Sequence, residues 1–415
     1  MLFIYRIFVA LVIIIGSPFL FVKAFFGKHG IRERFGFVTG RELSGRLFWF
    51  HAASVGEQKI IQSILPEIRK RDKRIEIAIS TSTITGKRRA EELFGDQAHI
   101  FLQPLEIKSS IERVIKRLRP EKLIIVETEI WPLMLSVSKK VGLELFLINA
   151  RMREKSFGKY KLIKSFFAPV LKNFSIILAQ SSADADRFQS LGAENVTVIG
   201  NLKYDQIFDN GYSNSRRLSI EKKGRLVLVA GSVRKGEDDI LADVIVETRR
   251  SGSDIGYIIA PRHMKEIEDM TEVFSNRGIR YRLRSKTPGD TVNLDSVLIL
   301  NTMGELRDFY NLADLTFVGG SLVPIGGHDP LEPASLGKPV IFGPHMENAR
   351  EASKVLLESG GATEVRNRED IINILKEAGM NREALKVKGE ICKKAVLSMT
   401  GASEKTAKYL MGELN

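Results

Sequence analysis

Acidic side chains follow two apolar runs that have the composition of buried strands. Glu57 ends the stretch HAASVGE, which comes after the run LFWF, and Glu127 and Glu129 follow the run LIIV in the stretch ETEIWP. A carboxylate at the end of a strand can accept a proton from a substrate hydroxyl, and nearby carboxylates raise one another's pKa toward the useful range. If the strand continued, Glu127 and Glu129 would share one face of it. These acids are candidate general bases.

Each acid also has a purely structural interpretation. Glu57 falls in the first turn of a predicted helix, where the helix dipole favours a negative charge. Glu127 and Glu129 could instead cap the helix that begins after Pro132. The residues alone leave both interpretations open.

Residues 317–350 hold an unusual density of glycine and proline. Close approach of a phosphate ester to backbone amides requires residues without a side chain, and so does a backbone with positive φ. Four glycines stand ahead of a predicted short helix: Gly319, Gly320, Gly326 and Gly327. Glu332, in that helix, could accept hydrogen bonds from ribose hydroxyls, as acids do in dinucleotide folds. The segment is predicted to bind a nucleotide, with a glycine-rich turn alone as the alternative.

Two short stretches resemble known signatures but lack the residues that these need. TITGKRR has Thr81 where a phosphate loop begins with glycine, and Arg88 where it needs a hydroxyl for magnesium. Asp184 and Asp186 have the Asp-x-Asp spacing of metal-dependent transferases, yet their position predicts first-turn acids of a helix. Cys392 is the single cysteine, so no disulfide or Cys/His zinc site is expected. We predict no catalytic metal and no cofactor.

Short apolar runs alternate with amphipathic stretches along most of the chain, which is typical of a parallel α/β sheet. One series of runs lies between residues 47 and 200 and a second between residues 225 and 344. We therefore predict two Rossmann-like domains that face one another across a cleft, with ligands at the carboxyl ends of the strands. The predicted boundaries are a membrane anchor at 1–26, a first Rossmann-like domain at 27–204, a linker at 205–224 and a second Rossmann-like domain at 225–415.

The first 26 residues are nearly all apolar, interrupted by Arg6 and Lys23. We interpret them as a membrane-anchor helix of borderline length, with a cleaved signal peptide as the alternative. Cations follow the apolar stretch directly, and by the positive-inside rule they keep the next domain in the cytoplasm. The net charge of +13 also indicates an anionic binding partner. Without a zinc finger, an RNP motif or a long basic arm, anionic membrane lipids are a better expectation than nucleic acid.

An ordered set of motifs resembles the 3-deoxy-D-manno-octulosonic acid (Kdo) transferases of lipopolysaccharide biosynthesis. The set comprises RERFG, HAASVGE, ETEIWP, NARMREKSF, GNLKYD, PRH, TMGELRDFY and VGGSLVPIGGHDPLEPASLGKPVIFGPHMEN, after the apolar N-terminus. The resemblance runs over nearly the whole chain. It implies a GT-B glycosyltransferase on the cytoplasmic face of the inner membrane, with 27–204 as its acceptor-binding domain and 225–415 as its nucleotide-sugar-binding domain. That family moves Kdo from CMP-Kdo to a lipid A precursor with inversion and without a metal.

The resemblance also implies roles for individual residues. Glu57 corresponds to the proton acceptor, while Glu127 and Lys203 correspond to groups that stabilise the transition state. The implied contacts to CMP are Pro261, Arg262, Met303, Gly304, Glu305, Asp329, Pro330, Leu331 and Glu332. Asp329 stands where the family often has asparagine, and an ionised acid cannot donate a hydrogen bond as an amide does.

Two other functions remain compatible with these residues. One is a GT-B transferase that joins a different nucleotide sugar, such as a UDP-N-acetylhexosamine, to a lipid. The other is a membrane-tethered protein that binds a nucleotide sugar without turnover. The number of Kdo residues transferred, the acylation of the acceptor and the oligomeric state are open at this stage.

Overall fold

The structure is a computed structural model that describes residues 5, 30–39, 45–209, 218–287 and 289–414. The chain divides into two compact units, and each is described by itself. The first unit comprises Met1–Gln206 and Met399–Asn415, and the second comprises Ile207–Ser398.

The first unit is built on a sheet of seven parallel strands. They are β1 (Leu47–His51), β2 (Glu76–Thr81), β3 (His99–Leu102), β4 (Lys122–Val126), β5 (Glu144–Ala150), β6 (Ile176–Ala179) and β7 (Val196–Val198). Their order in the sheet is β3-β2-β1-β4-β5-β6-β7. The strand order reverses between β1 and β4, and in such sheets ligands bind outside the carboxyl ends at this switch point. The two loops that carry the predicted acids follow β1 and β4.

Helices cover both faces of this sheet. They are Ile31–Arg34, Val55–Arg71, Ile84–Phe94, Lys108–Leu118, Pro132–Lys140, Glu154–Leu162, Lys164–Leu171, Ser182–Ser190 and Ala402–Met411, with 3-10 turns at Gly95–Gln97 and Leu202–Tyr204. Successive residues of β1 alternate between two cores, since Trp49 packs in one cluster and Phe48 and Phe50 in the other. Burial on both faces explains why these strands read as continuous apolar runs.

The C-terminal helix Ala402–Met411 belongs to the first unit, although residues 225–415 are predicted to form the second domain. Its residues Ala402, Ala407 and Leu410 are buried in the same core as Ile60 and Phe50. The Asp205 carboxylate also accepts a hydrogen bond from the Gly401 N–H at 2.6 Å. An amphipathic pattern shows that a helix has an apolar face but not which sheet it covers.

The second unit is built on another sheet of seven parallel strands, with a separate parallel pair beside it. The small pair is β8 (Ser219–Glu221) and β12 (Thr291–Asn293), and the main sheet has β9 (Leu226–Val233), β10 (Ile255–Pro261), β11 (Tyr281–Leu283), β13 (Val297–Ile299), β14 (Leu315–Val318), β15 (Val340–Phe342) and β16 (Ala362–Glu364). The order β11-β13-β10-β9-β14-β15-β16 reverses between β9 and β14. The glycine-rich segment therefore follows a strand at the switch point.

The second unit also contains helices on both sides of its sheet. They are Gln206–Asp209 at the boundary of the units, Glu237–Arg250, Ile267–Asn276, Leu306–Leu312, Leu331–Ser335, Arg350–Glu358, Arg368–Met380 and Arg382–Ser398, with 3-10 turns at Met264–Glu266, Arg284–Lys286 and Glu347–Ala349. The prediction of two Rossmann-like domains with parallel sheets is confirmed. Three strands were not predicted, namely β8, β12 and β16, because each has three residues with little apolar patterning. One of them, β8, lies inside the predicted linker at 205–224.

The predicted anchor at 1–26 lies outside the described residues, apart from Tyr5. Among the residues that the structure describes, no helix has both the length and the apolar character needed to cross a membrane.

Candidate active site

Glu57 lies at the start of helix Val55–Arg71, just after β1. Ser54 is the N-cap residue, and its Oγ accepts a hydrogen bond from the Glu57 N–H at 3.3 Å. In return, the Glu57 carboxylate accepts from the Ala53 N–H at 2.6 Å and from the Ser54 hydroxyl at 2.7 Å. The helix-start role that the sequence allowed is therefore present, as a capping box.

Burial and neighbouring negative charge make Glu57 suited to receive a proton. Its side chain is buried, and burial raises its pKa above the ordinary glutamate value, while the hydrogen bonds from Ser54 and Ala53 oppose the rise. Negative charge on Glu129 and Glu127 raises the pKa further. A carboxylate with a raised pKa holds a proton more firmly, as a general base requires. Its Oε2 accepts from the backbone N–H groups of both Ala53 and Ser54, whereas its Oε1 accepts only from the Ser54 hydroxyl and has a second lone pair for a substrate hydroxyl.

Glu127 does not continue the strand, so the prediction that it shares a strand face with Glu129 is wrong. β4 ends at Val126, and Glu127 adopts a left-handed backbone with φ of 61°. Its N–H donates to the Ile148 carbonyl at 2.9 Å as the chain turns. A non-glycine residue in this region is uncommon and strained, which is frequent at functional sites.

The turn directs the Glu127 carboxylate toward Lys203, whose Nζ lies 2.6 Å away. Lys203 sits in the 3-10 turn Leu202–Tyr204 that follows β7. The two predicted transition-state residues are thus brought together as an ion pair. Both side chains are partly exposed, at 43% for Lys203 and 25% for Glu127, so the pair adds little to stability and its charges can reach a ligand.

Asn149, within the NAR motif, is a residue whose role the sequence reasoning missed. It is fully buried with φ of 51° at the end of β5. Its Oδ1 accepts a hydrogen bond from the Leu202 N–H at 3.0 Å, which fixes the turn that carries Lys203. A buried polar residue with positive φ can be identified only once its backbone is known.

Glu129 is held by Trp131, whose indole N–H donates to its carboxylate at 3.0 Å. Burial raises the pKa of Glu129, and the hydrogen bond from Trp131 opposes that rise. Neither Glu129 nor Glu127 caps the following helix. That role belongs to the buried Glu106, which accepts hydrogen bonds from the Leu133 and Met134 N–H groups, each at 2.8 Å.

A cavity of about 320 Å³ opens beside this cluster within the first unit. It is lined by Glu127, Thr128, Arg151, Met152, Arg153, Ser156 and Tyr160. Arg151 and Arg153 are exposed, and neither guanidinium forms an ion pair with any residue that the structure describes. Unpaired guanidinium groups are suited to bidentate binding of phosphate or carboxylate.

The glycine-rich segment departs from the expectation that its amides are free for a phosphate. The buried Glu237 carboxylate accepts hydrogen bonds from the N–H groups of Gly320 at 2.7 Å, Ser321 at 2.9 Å and Leu322 at 2.9 Å. Glycine is required here for geometry instead. At Gly326, φ is 101° and an added Cβ would lie 2.5 Å from the Asn348 side-chain nitrogen.

Cationic side chains gather near the carboxyl ends of β9 and β10. The predicted contact Arg262 is exposed directly after the buried Pro261, and Arg234 lies 3.1 Å from the His263 ring nitrogen. The pKa of His328 is lowered by burial and by the charges of Arg262 and Arg234. This group can receive a phosphate, and Arg234 in the stretch GSVRKGE was not singled out from the sequence.

The residues predicted from TMGE follow β13. Met303 is 82% exposed, and Gly304 adopts φ of 85° in the turn. Glu305 forms an ion pair with the fully buried Arg284 at 2.8 Å. This contact gives Glu305 a structural role, because it neutralises a buried guanidinium.

The residues predicted from HDPLEP surround the short helix Leu331–Ser335. The Asp329 carboxylate accepts a hydrogen bond from the Leu331 N–H at 2.9 Å, and Pro330 and Leu331 are buried. This role needs only an acceptor, so Asp329 fills it as asparagine would. Glu332 is half-buried, which raises its pKa, and within the described chain its carboxylate has no hydrogen-bond donor. It is available to accept from ribose hydroxyls.

No group of three or more His, Cys, Asp or Glu side chains among the described residues is placed to hold a metal ion. Asp184 accepts a hydrogen bond from the Met152 N–H at 2.8 Å and lies in the first turn of helix Ser182–Ser190 as predicted, whereas Asp186 lies beyond the first turn, so the prediction for Asp186 was wrong. Each of the two units carries its own group of candidate functional residues at the carboxyl edge of its sheet.

Solved structures of similar architecture show the fold class. UDP-GlcNAc 2-epimerase from Neisseria meningitidis aligns with a TM-score of 0.59 at 12% identity, over 88% of this chain and 99% of that one. MurG from Acinetobacter baumannii aligns with a TM-score of 0.52 at 13% identity, over 89% of this chain and all of that one. With two Rossmann-like units and these neighbours, the fold is GT-B-like.

Sequence comparison identifies the family. Residues 29–206 match the family model described as 3-deoxy-D-manno-octulosonic-acid transferase (kdotransferase). The 3-deoxy-D-manno-octulosonic acid transferase of Chlamydia trachomatis serovar A is 30% identical over 410 residues, which cover 93% of this chain and 92% of that protein. The chain belongs to the Kdo transferase family of glycosyltransferases. A bifunctional glycosyltransferase/methyltransferase of Fusobacterium nucleatum is also 30% identical, and there the match spans 79% of this chain but only 52% of the relative.

Proposed function

We propose that this protein transfers Kdo from CMP-Kdo to a lipid A precursor, with inversion at the sugar carbon and without a metal. The observation that carries the proposal is the cluster of Glu57, Glu127 and Lys203 at the switch point of the first sheet, in a chain of the Kdo transferase family. An acid with a raised pKa and a nearby lysine are the two kinds of group that this reaction needs.

In the proposed reaction, the Glu57 carboxylate takes the proton of the acceptor hydroxyl as its oxygen attacks the anomeric carbon of Kdo. The bond from that carbon to the CMP phosphate breaks, and the phosphate leaves with the electron pair. Positive charge that develops on the sugar is stabilised by carboxylates, and negative charge on the leaving group is stabilised by cations. Arg262 is assigned to the phosphate, with Arg234 and His328 as its neighbours, and Lys203, paired with Glu127, is assigned to stabilisation of the transition state.

The acceptor is assigned to the first unit. A lipid A precursor carries phosphate groups, and the exposed guanidinium groups of Arg151 and Arg153 in the 320 Å³ cavity suit them. The apolar residues 1–26 and the net charge of +13 favour a place on the cytoplasmic face of the inner membrane, beside anionic lipids.

Mass spectrometry of the lipid product tests the proposal. The full chain in detergent is incubated with a lipid A precursor and either CMP-Kdo or a UDP-N-acetylhexosamine. Addition of one or more Kdo masses with CMP-Kdo alone is expected, and addition of the other sugar would overturn the donor assignment. Glu57→Ala should abolish the product that the wild-type chain forms. If the protein only binds the nucleotide sugar, neither the wild-type chain nor the variant would form any product. EDTA should leave the rate unchanged, and loss of the rate with recovery on adding magnesium would contradict the metal-free mechanism.

A further inference from the structure

Two large apolar side chains are exposed where one helix of the first unit meets the next. Helix Glu154–Leu162 ends at Leu162, which is 87% exposed, and Ile163, which is 49% exposed, connects it to helix Lys164–Leu171. Phe157 and Tyr160 of the first helix pack against the core. The opposite face therefore presents its side chains to solvent, and the apolar tip formed by Leu162 and Ile163 on that face has no covering group among the residues that the structure describes.

Lysines surround this tip. Lys155, Lys159, Lys161 and Lys164 are all exposed, and no described residue forms an ion pair with any of them. Residues 154–171 contain one acid, Glu154, so the segment is strongly positive. Exposed apolar side chains with lysines on either side match the interface of an anionic bilayer, because the apolar groups enter the acyl boundary while the ammonium groups bind lipid phosphates.

Tyr5, from the apolar N-terminal stretch of the sequence, lies near this tip. Tyr5 is the one described residue of that segment, and its ring centroid is 5.5 Å from that of Phe166, three residues after Ile163. The Tyr5 hydroxyl also donates to the Glu106 carboxylate at 3.1 Å. Tyr5 is therefore fixed between the core and the helix that follows the tip.

We propose that the 155–164 segment docks on an anionic lipid bilayer, with Leu162 and Ile163 inserted below the headgroups and the four lysines at the phosphates. Tyr160 of the same helix lines the 320 Å³ cavity beside Glu127. Docking in this way sets the mouth of the cavity at the lipid surface. The docking itself is independent of the donor, and only its use for lipid capture depends on the proposed function.

A label at the tip can report insertion directly. Cys392 is fully buried, and burial raises the pKa of its thiol to about 12, so a thiol-reactive fluorophore modifies an introduced cysteine selectively. The full-chain Leu162→Cys variant carries an environment-sensitive fluorophore and is reconstituted in vesicles of phosphatidylcholine, alone or mixed with phosphatidylglycerol. The expected result is a shift of its emission to shorter wavelength in the mixed vesicles.

A matched control is Met380→Cys, since Met380 is exposed to nearly the same extent, 81%, on the second unit. Its label should keep the emission seen in water. Lys159→Gln with Lys161→Gln should reduce the shift at position 162, whereas Lys393→Gln with Lys394→Gln should not. A label at 162 that stays aqueous, or shifts equally in neutral vesicles, overturns the proposal. A shift that grows with protein concentration in the absence of vesicles also overturns it, in favour of self-association.

These readouts contain neither CMP-Kdo nor acceptor. A missing tip insertion therefore leaves the proposed reaction standing, and a missing Kdo product leaves the docking surface standing.

Discussion

Glu237 offers the sharpest test of how the glycine-rich segment is held. Its Oε2 accepts from the N–H groups of Arg234 at 3.0 Å and Gly320 at 2.7 Å, and its Oε1 accepts from those of Ser321 and Leu322, each at 2.9 Å. Glu237→Gln keeps the shape of the side chain but leaves one acceptor oxygen. In either orientation of the amide, two backbone donors then face an NH₂ group.

The cost of this substitution follows from those two donors. A buried donor without an acceptor costs roughly 1–3 kcal/mol, so we expect a loss of about 3 kcal/mol in the free energy of unfolding of the second unit. With a urea m-value of roughly 2 kcal/mol/M, the midpoint should fall by about 1.5 M. Glu268→Gln is the control, because Glu268 is exposed and should change stability by less than about 0.5 kcal/mol.

Two spectroscopic probes locate the effect. Both tryptophans, Trp49 and Trp131, belong to the first unit, so their fluorescence reports that unit, while far-UV circular dichroism reports both. We expect Glu237→Gln to lower the dichroism midpoint more than the fluorescence midpoint. A dichroism midpoint equal to that of Glu268→Gln would refute the reasoning that Glu237 holds the glycine-rich segment.

The remaining predictions concern the first unit. Glu57→Gln should lower kcat roughly 10²–10⁴-fold in initial rates of CMP release, because the base is lost, and a rate within about twofold of the wild type would contradict that role. Since burial raises the pKa of Glu57 and only its ionised form accepts a proton, the rate should fall with decreasing pH through a pKa above 4.5. Glu129→Gln should shift this fall in rate to lower pH, because it removes a negative charge that raises the pKa of Glu57. An unchanged pH–rate profile would show that Glu129 does not affect the pKa of Glu57. Lys203→Gln should lower kcat while changing the unfolding free energy by less than about 1 kcal/mol, because its ion pair with Glu127 is partly exposed. A fall in rate that is fully explained by a smaller folded fraction of the protein would count against a catalytic role.

All strands of the two seven-stranded sheets except β16 could be predicted, because a strand buried on both faces leaves an unbroken apolar run. β1 and β4 are examples, and the acids after them follow at once from their position. The short strands β8 and β16 could not be predicted, since three residues with polar neighbours carry no periodic signal. The packing of helix Ala402–Met411 on the first unit was equally invisible, because it depends on a contact between distant parts of the chain.

Within the site, residue types were easier to predict than conformations. The sequence identified Glu127 but placed it on a strand, whereas its left-handed backbone turns it toward Lys203. The glycine-rich segment was recognised as unusual, yet the acid that occupies its amides, Glu237, stands more than 80 positions earlier in the chain. Hydrogen bonds of such separation depend on the sheet order and not on any local pattern.

The distance from Glu57 to the acceptor hydroxyl tests the central claim most directly. A structure of the full chain with a lipid A precursor and an unreactive analogue of CMP-Kdo would provide it. We predict a Glu57 carboxylate oxygen within about 2.6–3.2 Å of the attacking hydroxyl oxygen. If the Glu57 carboxylate stays in its capping box far from that hydroxyl, and a different residue contacts the hydroxyl, then Glu57 is not the general base.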